Sequence, residues 1–192
     1  MKATRLEAFS DGVIAIIITI MVLELKVPEE HSAAGLLAML PLFLSYALSF
    51  LTVAIYWANH HHLIHLVKRV NGSILWLNMN LLFWLSLMPF VTAYLGEHHV
   101  EKLPVALYGA VGVACGVSYY FLRHAISRQT VDDPRLCALH SRMLRKNRIA
   151  IGLGVALVPA AYLSIWLSLA LILTPSLMYF VPDREVEKLA HE

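Results

Sequence analysis

Charge is scarce in this sequence, and so are polar stretches long enough to solvate a surface. Of 192 residues only 15% are charged, against 59% that are hydrophobic, and the mean hydropathy is +0.67. A soluble domain carries about a quarter charged residues and roughly half apolar ones, so composition argues against an ordinary globule. Cysteine is almost missing as well. Cys115 lies in an apolar run and Cys137 among basic residues, so no disulfide framework is implied. No small-residue cleavage site follows the first apolar stretch, which runs directly into Glu24, Lys26 and Pro28 and so does not read as a cleaved secretory signal. No internal repeat is evident, and the inverted halves of many secondary transporters are therefore not seen.

What the sequence does have is long apolar runs. About 20 helical residues cover a hydrocarbon core of ~30 Å, and six stretches meet or approach that length. They run from about Arg5 to Leu25, Ala33 to Asn59, Ser73 to Leu95 and Leu103 to Leu122, with the last run, Ile149 to Val181, divided in two. Pro159 or the Ser164 to Ser168 region offers a tight turn between the two short helices of that run; a single tilted helix is the alternative. The expected fold is thus an all-α integral membrane protein of six transmembrane helices, a single unit over residues 1–192.

The basic residues orient it. In the six-span arrangement one side holds Lys2, Arg5, Lys68, Arg69, Arg123, Arg128, Arg135, Arg142, Arg145, Lys146, Arg148, Arg184 and Lys188, and the other holds only Lys26 and Lys102. Short loops rich in Lys and Arg stay in the cytoplasm, which puts both termini there, in a multi-pass cell-membrane protein. The residues from Arg123 to Arg148 read as a basic cytoplasmic loop with a turn or helix start at Asp132-Asp133-Pro134. The same distribution explains the basic residues without nucleic acid.

The first span carries the informative polar residues: Arg5, Glu7, Ser10 and Asp11. Charged groups within a span are costly and need partners. At 100° per residue, Arg5, Phe9, Gly12, Ile16, Ile20 and Leu23 fall within about 40° of one face, whereas Asp11 lies more than about 120° away. At a similar depth the second span ends in Trp57, Asn59, His60, His61 and His62, and the third places Asn78 and Asn80 nearby. A cluster of Ser10, Asp11, one or two histidines and an asparagine is expected to fasten three helices together. On spacing alone the stripe Ile16, Ile20, Leu23 reads first as a lipid-facing surface or a packed core, with a pore lining as the less favoured alternative.

The string Arg5-x-x-x-Phe9-Ser10-Asp11, followed by Gly12-Val-Ile-Ala-Ile, Thr19 and Val22-Leu23-Glu24-Leu-Lys-Val-Pro28, resembles the prokaryotic members of the transmembrane protein 175 family of potassium channels. The resemblance continues through Trp57-x-x-His60-His61, Leu77-Asn78 and Met88-Pro89-Phe90-x-Thr92. It implies a homotetramer, embedded in membrane lipid, whose first helices surround a passive pathway for K⁺ that also passes Cs⁺ and Rb⁺. It assigns Ile16 to the narrowest apolar ring, with Ile20 and Leu23 beyond it and Thr19 supplying a hydroxyl. An apolar ring gates by dewetting and favours the ion that is cheaper to dehydrate. Glu24 is placed at the outer mouth, or else is an interfacial residue paired with Lys26. The resemblance makes Arg5, Phe9, Ser10, Asp11, Trp57, His60, His61 and Asn78 its structural signature, and implies no catalytic residue and no cofactor beyond permeant K⁺.

Two rivals are weighed on the residues. His60-His61-His62-x-x-His65 looks like one box of a di-iron membrane hydroxylase, but such sites draw about eight histidines from several boxes. His31, His98 and His99 fall on the opposite side and His124, His140 and His191 are isolated, so no metal centre of that kind is assigned. A response of the cluster to protons or a divalent metal stays open. A secondary transporter or uniporter of small cations is the other rival. Ser45, Ser49, Thr52, Ser86 and Pro89 fall near the midplane, without the carboxylate that coupling to an ion gradient favours.

Overall fold

A computed structural model describes residues 2–130 and 132–180, and every described segment of regular structure is helical. Helix α1 spans Ala3–Met21 and continues as a 3₁₀ turn, Val22–Glu24; α2 covers Ala33–Ala38 and α3 Leu40–His65. Helices α4 and α5 are Gly72–Ser86 and Met88–Glu97, and α6 is Lys102–Ser127. Helices α7, Pro134–Leu163, and α8, Ile165–Phe180, complete the described chain. The interruptions have local causes. Pro41 sits in the first turn of α3 and Pro89 in that of α5, where the missing N–H costs the new helix nothing but cannot bond the carbonyl four residues back, so the preceding helix does not run on unbroken. Two of the expected spans are therefore each a short helix and a longer one joined at a bend.

Among the described residues, four stretches are long and apolar enough to cross a bilayer: Ala3–Glu24, Leu40–His65, Gly72–Glu97 and Lys102–Ser127. They match the first four expected spans, the second extending past Asn59 so that the histidines lie on helix. The last apolar run breaks at Ser164, whose extended backbone (φ −158°, ψ 122°) separates α7 from α8. Pro159, the other candidate for that turn, is carried inside α7.

One expectation is corrected. Arg123 to Arg148 is not a loop: α6 runs on to Ser127, and α7 begins at Pro134, capped by Asp133, whose carboxylate accepts from the Arg135 and Leu136 amides. Thirty residues of helix reach about 45 Å, so the basic first half of α7 can continue beyond the apolar half as one rod. Charge had marked those residues as outside lipid, and a solvated helix and a solvated loop share that composition. Arg184 and Lys188, which contributed to the C-terminal orientation, lie outside the described residues.

Helix α6 is the most enclosed of the four, packed by α4, α5, α7 and α8. Its contact with α7 is close because both present glycine: a Cβ on Gly109 would meet the Leu157 side chain, and one on Gly154 would lie 2.8 Å from Val113 Cγ2. Small residues let helix backbones approach, the main packing device where lipid supplies no hydrophobic drive. Side-chain hydrogen bonds tie the same bundle crosswise. Thr92 of α5 donates to Ser49 of α3 (2.7 Å), which lies 3.1 Å from the Tyr108 hydroxyl of α6, and Asn80 of α4 donates to Ser118 of α6 (2.7 Å). At the end of α6, buried Arg123 donates to the Tyr119 hydroxyl (2.6 Å), which donates to the Asn59 carbonyl of α3 (3.1 Å).

His140, in the basic half of α7, is buried, and among the described residues neither ring nitrogen has a hydrogen-bond partner. Burial, and secondarily the nearby Arg123 charge, pushes the imidazole from 6.5 down to about 4. The fold thus holds the neutral ring, while the unfolded chain takes up its proton first as pH falls. Its contribution to stability is complete above pH 6.5 and is lost progressively towards about pH 4. Thermal melting of detergent-solubilised protein should fall across that window, and His140→Leu should flatten the decline. An unchanged slope in the variant would remove His140 as its source.

Candidate functional site

Helix α1 divides lengthwise. Leu6, Ser10, Ile14, Ile17 and Met21 are buried against α3, α4 and α5. The opposite stripe is open: Arg5, Phe9, Gly12, Ile16, Thr19, Ile20 and Leu23 are all exposed, Ile16 at 58% and Leu23 at 71%. On a helix of 3.6 residues per turn the two sets are centred on opposite sides. The stripe singled out on spacing is therefore the face that the subunit itself leaves uncovered. Thr19 donates its hydroxyl back to its own helix, 3.0 Å from the Ala15 and Ile16 carbonyls. That fixes the side chain and leaves the oxygen lone pairs free to accept. Glu24 is half-buried at the end of the 3₁₀ turn, and among the described residues it forms no ion pair with Lys26.

The buried side of α1 carries the polar network. Ser10 donates to the Leu6 carbonyl (2.8 Å) and accepts from Asn78 Nδ2 of α4 (2.9 Å). Asn78 Oδ1 lies 2.6 Å from His60 Nε2 of α3. With the asparagine amide already spent on Ser10, its oxygen must accept, so His60 Nε2 is the donor. All three side chains are fully buried. One serine, one asparagine and one histidine thus join α1, α3 and α4.

Asp11 does not join that chain. Its carboxylate accepts from Trp57 Nε1 (3.0 Å) at a more exposed position on the α1–α3 seam. Nor was the role of Glu7 foreseen. Its Oε1 lies 3.0 Å from His61 Nδ1 and 3.2 Å from His65 Nε2. These contacts form a register: Glu7 and Asp11 are four apart on α1, and Trp57, His61 and His65 are four apart on the antiparallel α3. Residues four apart lie above one another on one helical face, about 6 Å along the axis, so the acidic pair meets the donor stripe rung by rung. That spacing was the available signal, and it becomes specific only when the two stripes are set side by side.

Comparison with known proteins follows the same elements. The family model described as endosomal/lysosomal potassium channel TMEM175 matches residues 5–89, from Arg5 of α1 into the start of α5. A protein of Chryseobacterium sp. (strain P1-3), named as a potassium channel, is 47% identical over 189 residues, 98% of this chain and 97% of the relative. Another so named, from Streptomyces collinus, is 37% identical over 180 residues, covering 88% and 87%. A crystal structure of a Chamaesiphon minutus homologue of the lysosomal potassium-selective channel TMEM175 superposes with a TM-score of 0.83 at 27% identity, covering 95% of this chain and 97% of that one.

The buried and exposed rungs should differ in cost. Asn78→Leu leaves His60 Nε2 without its partner and removes the tie from Ser10 to α4, and should destabilise the protein by about 1–3 kcal/mol. Trp57→Phe removes one half-exposed bond and should cost about 0.6 kcal/mol. Thermal unfolding of the two variants in one detergent measures the order, and a larger loss for Trp57→Phe would overturn the assignment of the buried chain as the principal lock.

Proposed function

The chain belongs to the TMEM175 family, and on that premise we propose that it is a potassium channel, a passive pathway and not an enzyme. The observation that carries the reading is the open face of α1. A subunit that buries Leu6, Ile14 and Met21 on one side of this helix leaves Ile16, Ile20 and Leu23 uncovered on the other. Four copies arranged around an axis would bring those stripes together as a central pathway. The whole of residues 1–192 would act as one channel unit per subunit. Helices α7 and α8, packed on each other and joined through Ser164, would add a fifth and sixth crossing to the four long ones. Both termini would face the cytoplasm of a prokaryotic cell.

In this arrangement Ile16 forms the narrowest ring. A ring of branched aliphatic side chains offers no ligand to replace a hydration shell, so an ion enters only with part of its water. K⁺ gives up water at lower cost than Na⁺, and the larger Cs⁺ and Rb⁺ at lower cost still. Thr19, with its hydroxyl hydrogen turned to the helix and its oxygen outward, supports partial coordination next to the constriction. Glu24 at the end of the same helix would concentrate cations at the outer mouth. Arg5 and Phe9 continue the open stripe to the inner end, while Ser10, Asn78, His60, Asp11 and Trp57 hold the helix from behind. The permeant ion is the small ligand that this reading requires.

Protein reconstituted in vesicles should pass K⁺ down its gradient with no counter-transported ion; obligatory one-for-one exchange would favour a transporter instead. Ile16→Asn should lower K⁺ over Na⁺ discrimination by roughly threefold or more, about 0.6 kcal/mol. Reversal potentials under bi-ionic conditions read this directly, and a value equal to that of the unaltered protein would take Ile16 out of the filter.

A further inference from the structure

Beyond conduction, we propose that Glu7, His61 and His65 form a binding site for a divalent transition metal of the Zn²⁺ class, bridging the second turn of α1 and the last turn of α3. The donor set is one carboxylate oxygen and two imidazole nitrogens, and these three atoms lie within 4.8 Å of one another. Two imidazoles and a carboxylate suit Zn²⁺ and its first-row neighbours; Mg²⁺ and Ca²⁺ select all-oxygen sites instead.

The geometry is close to formed. Metal–ligand bonds of about 2.0–2.1 Å in a tetrahedron place neighbouring ligand atoms about 3.3 Å apart. Glu7 Oε1 is already 3.0 Å from His61 Nδ1 and 3.2 Å from His65 Nε2, so two of the three edges fit. The third edge, between the histidines, closes by side-chain rotation, because residues four apart on a helix share a face and the rings already stand edge to face at 4.5 Å. The site has an entrance too. The Glu7 side chain is 16% exposed, His61 39% and His65 58%, which admits an ion and leaves a fourth position for water. The helices also hold it in place: Trp57 and Asp11 form the next rung of the same seam, and the Trp57 ring lies 6.1 Å from that of His61.

Bound metal would replace a contact that two imidazoles share at one carboxylate oxygen with three bonds, fastening α1 to α3. A consequence for conduction rests on the channel reading: a fastened α1 should move less, so Zn²⁺ should lower K⁺ flux.

The test begins with binding by the purified full chain. Low-micromolar Zn²⁺ in competition with a chromogenic chelator should give one ion per chain. Glu7→Gln, His61→Asn and His65→Asn should each weaken binding by about 100-fold, at least the loss that a disturbed second shell produces. His62→Asn, altering a neighbour outside the donor set, should bind as the unaltered protein does. Co²⁺ as a probe should give the visible bands of a four-coordinate centre, lost in Glu7→Gln. Gel filtration checks that each variant remains folded. Absent Zn²⁺ binding, or binding that survives loss of Glu7 and His61 together, would overturn the site whether or not the protein conducts. Binding with K⁺ flux that Zn²⁺ leaves unchanged would overturn the fastening consequence and leave the site standing.

Discussion

The hydrocarbon core of a bilayer offers no hydrogen bonds, so each polar side chain placed there must be answered by another within the protein. The rest of the architecture follows from how this chain meets that demand. Ser10 is answered by Asn78 and Asn78 by His60, Thr92 by Ser49, Asn80 by Ser118, and Arg123 by Tyr119. Each match joins different helices or stiffens one end of a single helix, and none uses the open stripe of α1. Polar matching and glycine-mediated approach between α6 and α7 form a compact bundle to which α1 is fastened along one side only.

The one-sided attachment separates two physical tasks on a single helix. The side towards α3, α4 and α5 holds position, through Leu6, Ile14 and Met21 in the core and through Ser10 in the buried chain. The side away from them is apolar apart from Arg5 and the Thr19 hydroxyl, and makes no demand on its own subunit. Helix position is thus set from behind by contacts distinct from those that would meet an ion, and small changes in the seam between α1 and α3 could shift the stripe without unpacking the bundle. Glu7 and Asp11 lie on that seam, at its more solvent-accessible rungs.

Much of this was legible before any coordinates. Run length gave the four long spans, and the Ser164 region was named as one of two places where the last run would turn. The wheel separated the Arg5–Leu23 stripe from Asp11 because a 3.6-residue period is rigid enough to be read from spacing. The loop at Arg123–Arg148 was misread because charge reports distance from lipid and not backbone conformation. Asp11 was placed in one cluster with Ser10, an asparagine and the histidines because depth along the axis was known and rotation between helices was not; its carboxylate turns to Trp57 instead. The partners of Glu7 escaped notice for a related reason. Its meaning lies in two stripes of period four on different helices, and the register between them is a tertiary fact. Sequence spacing alone left the open stripe with three readings, and the structure narrows these by excluding it from the subunit core.

The central claim is that the uncovered face of α1 borders water shared between subunits and not lipid. Single cysteines at Ile20 of α1 and Trp76 of α4, both exposed in the subunit, can be compared in vesicles after Cys137 is replaced by serine. A charged, membrane-impermeant thiol reagent reacts only with a cysteine that water can reach. The account predicts that the reagent modifies I20C and blocks K⁺ flux, while W76C, on a face turned to lipid, conducts unchanged. An unreactive I20C that conducts normally, or equal block at both positions, would contradict it.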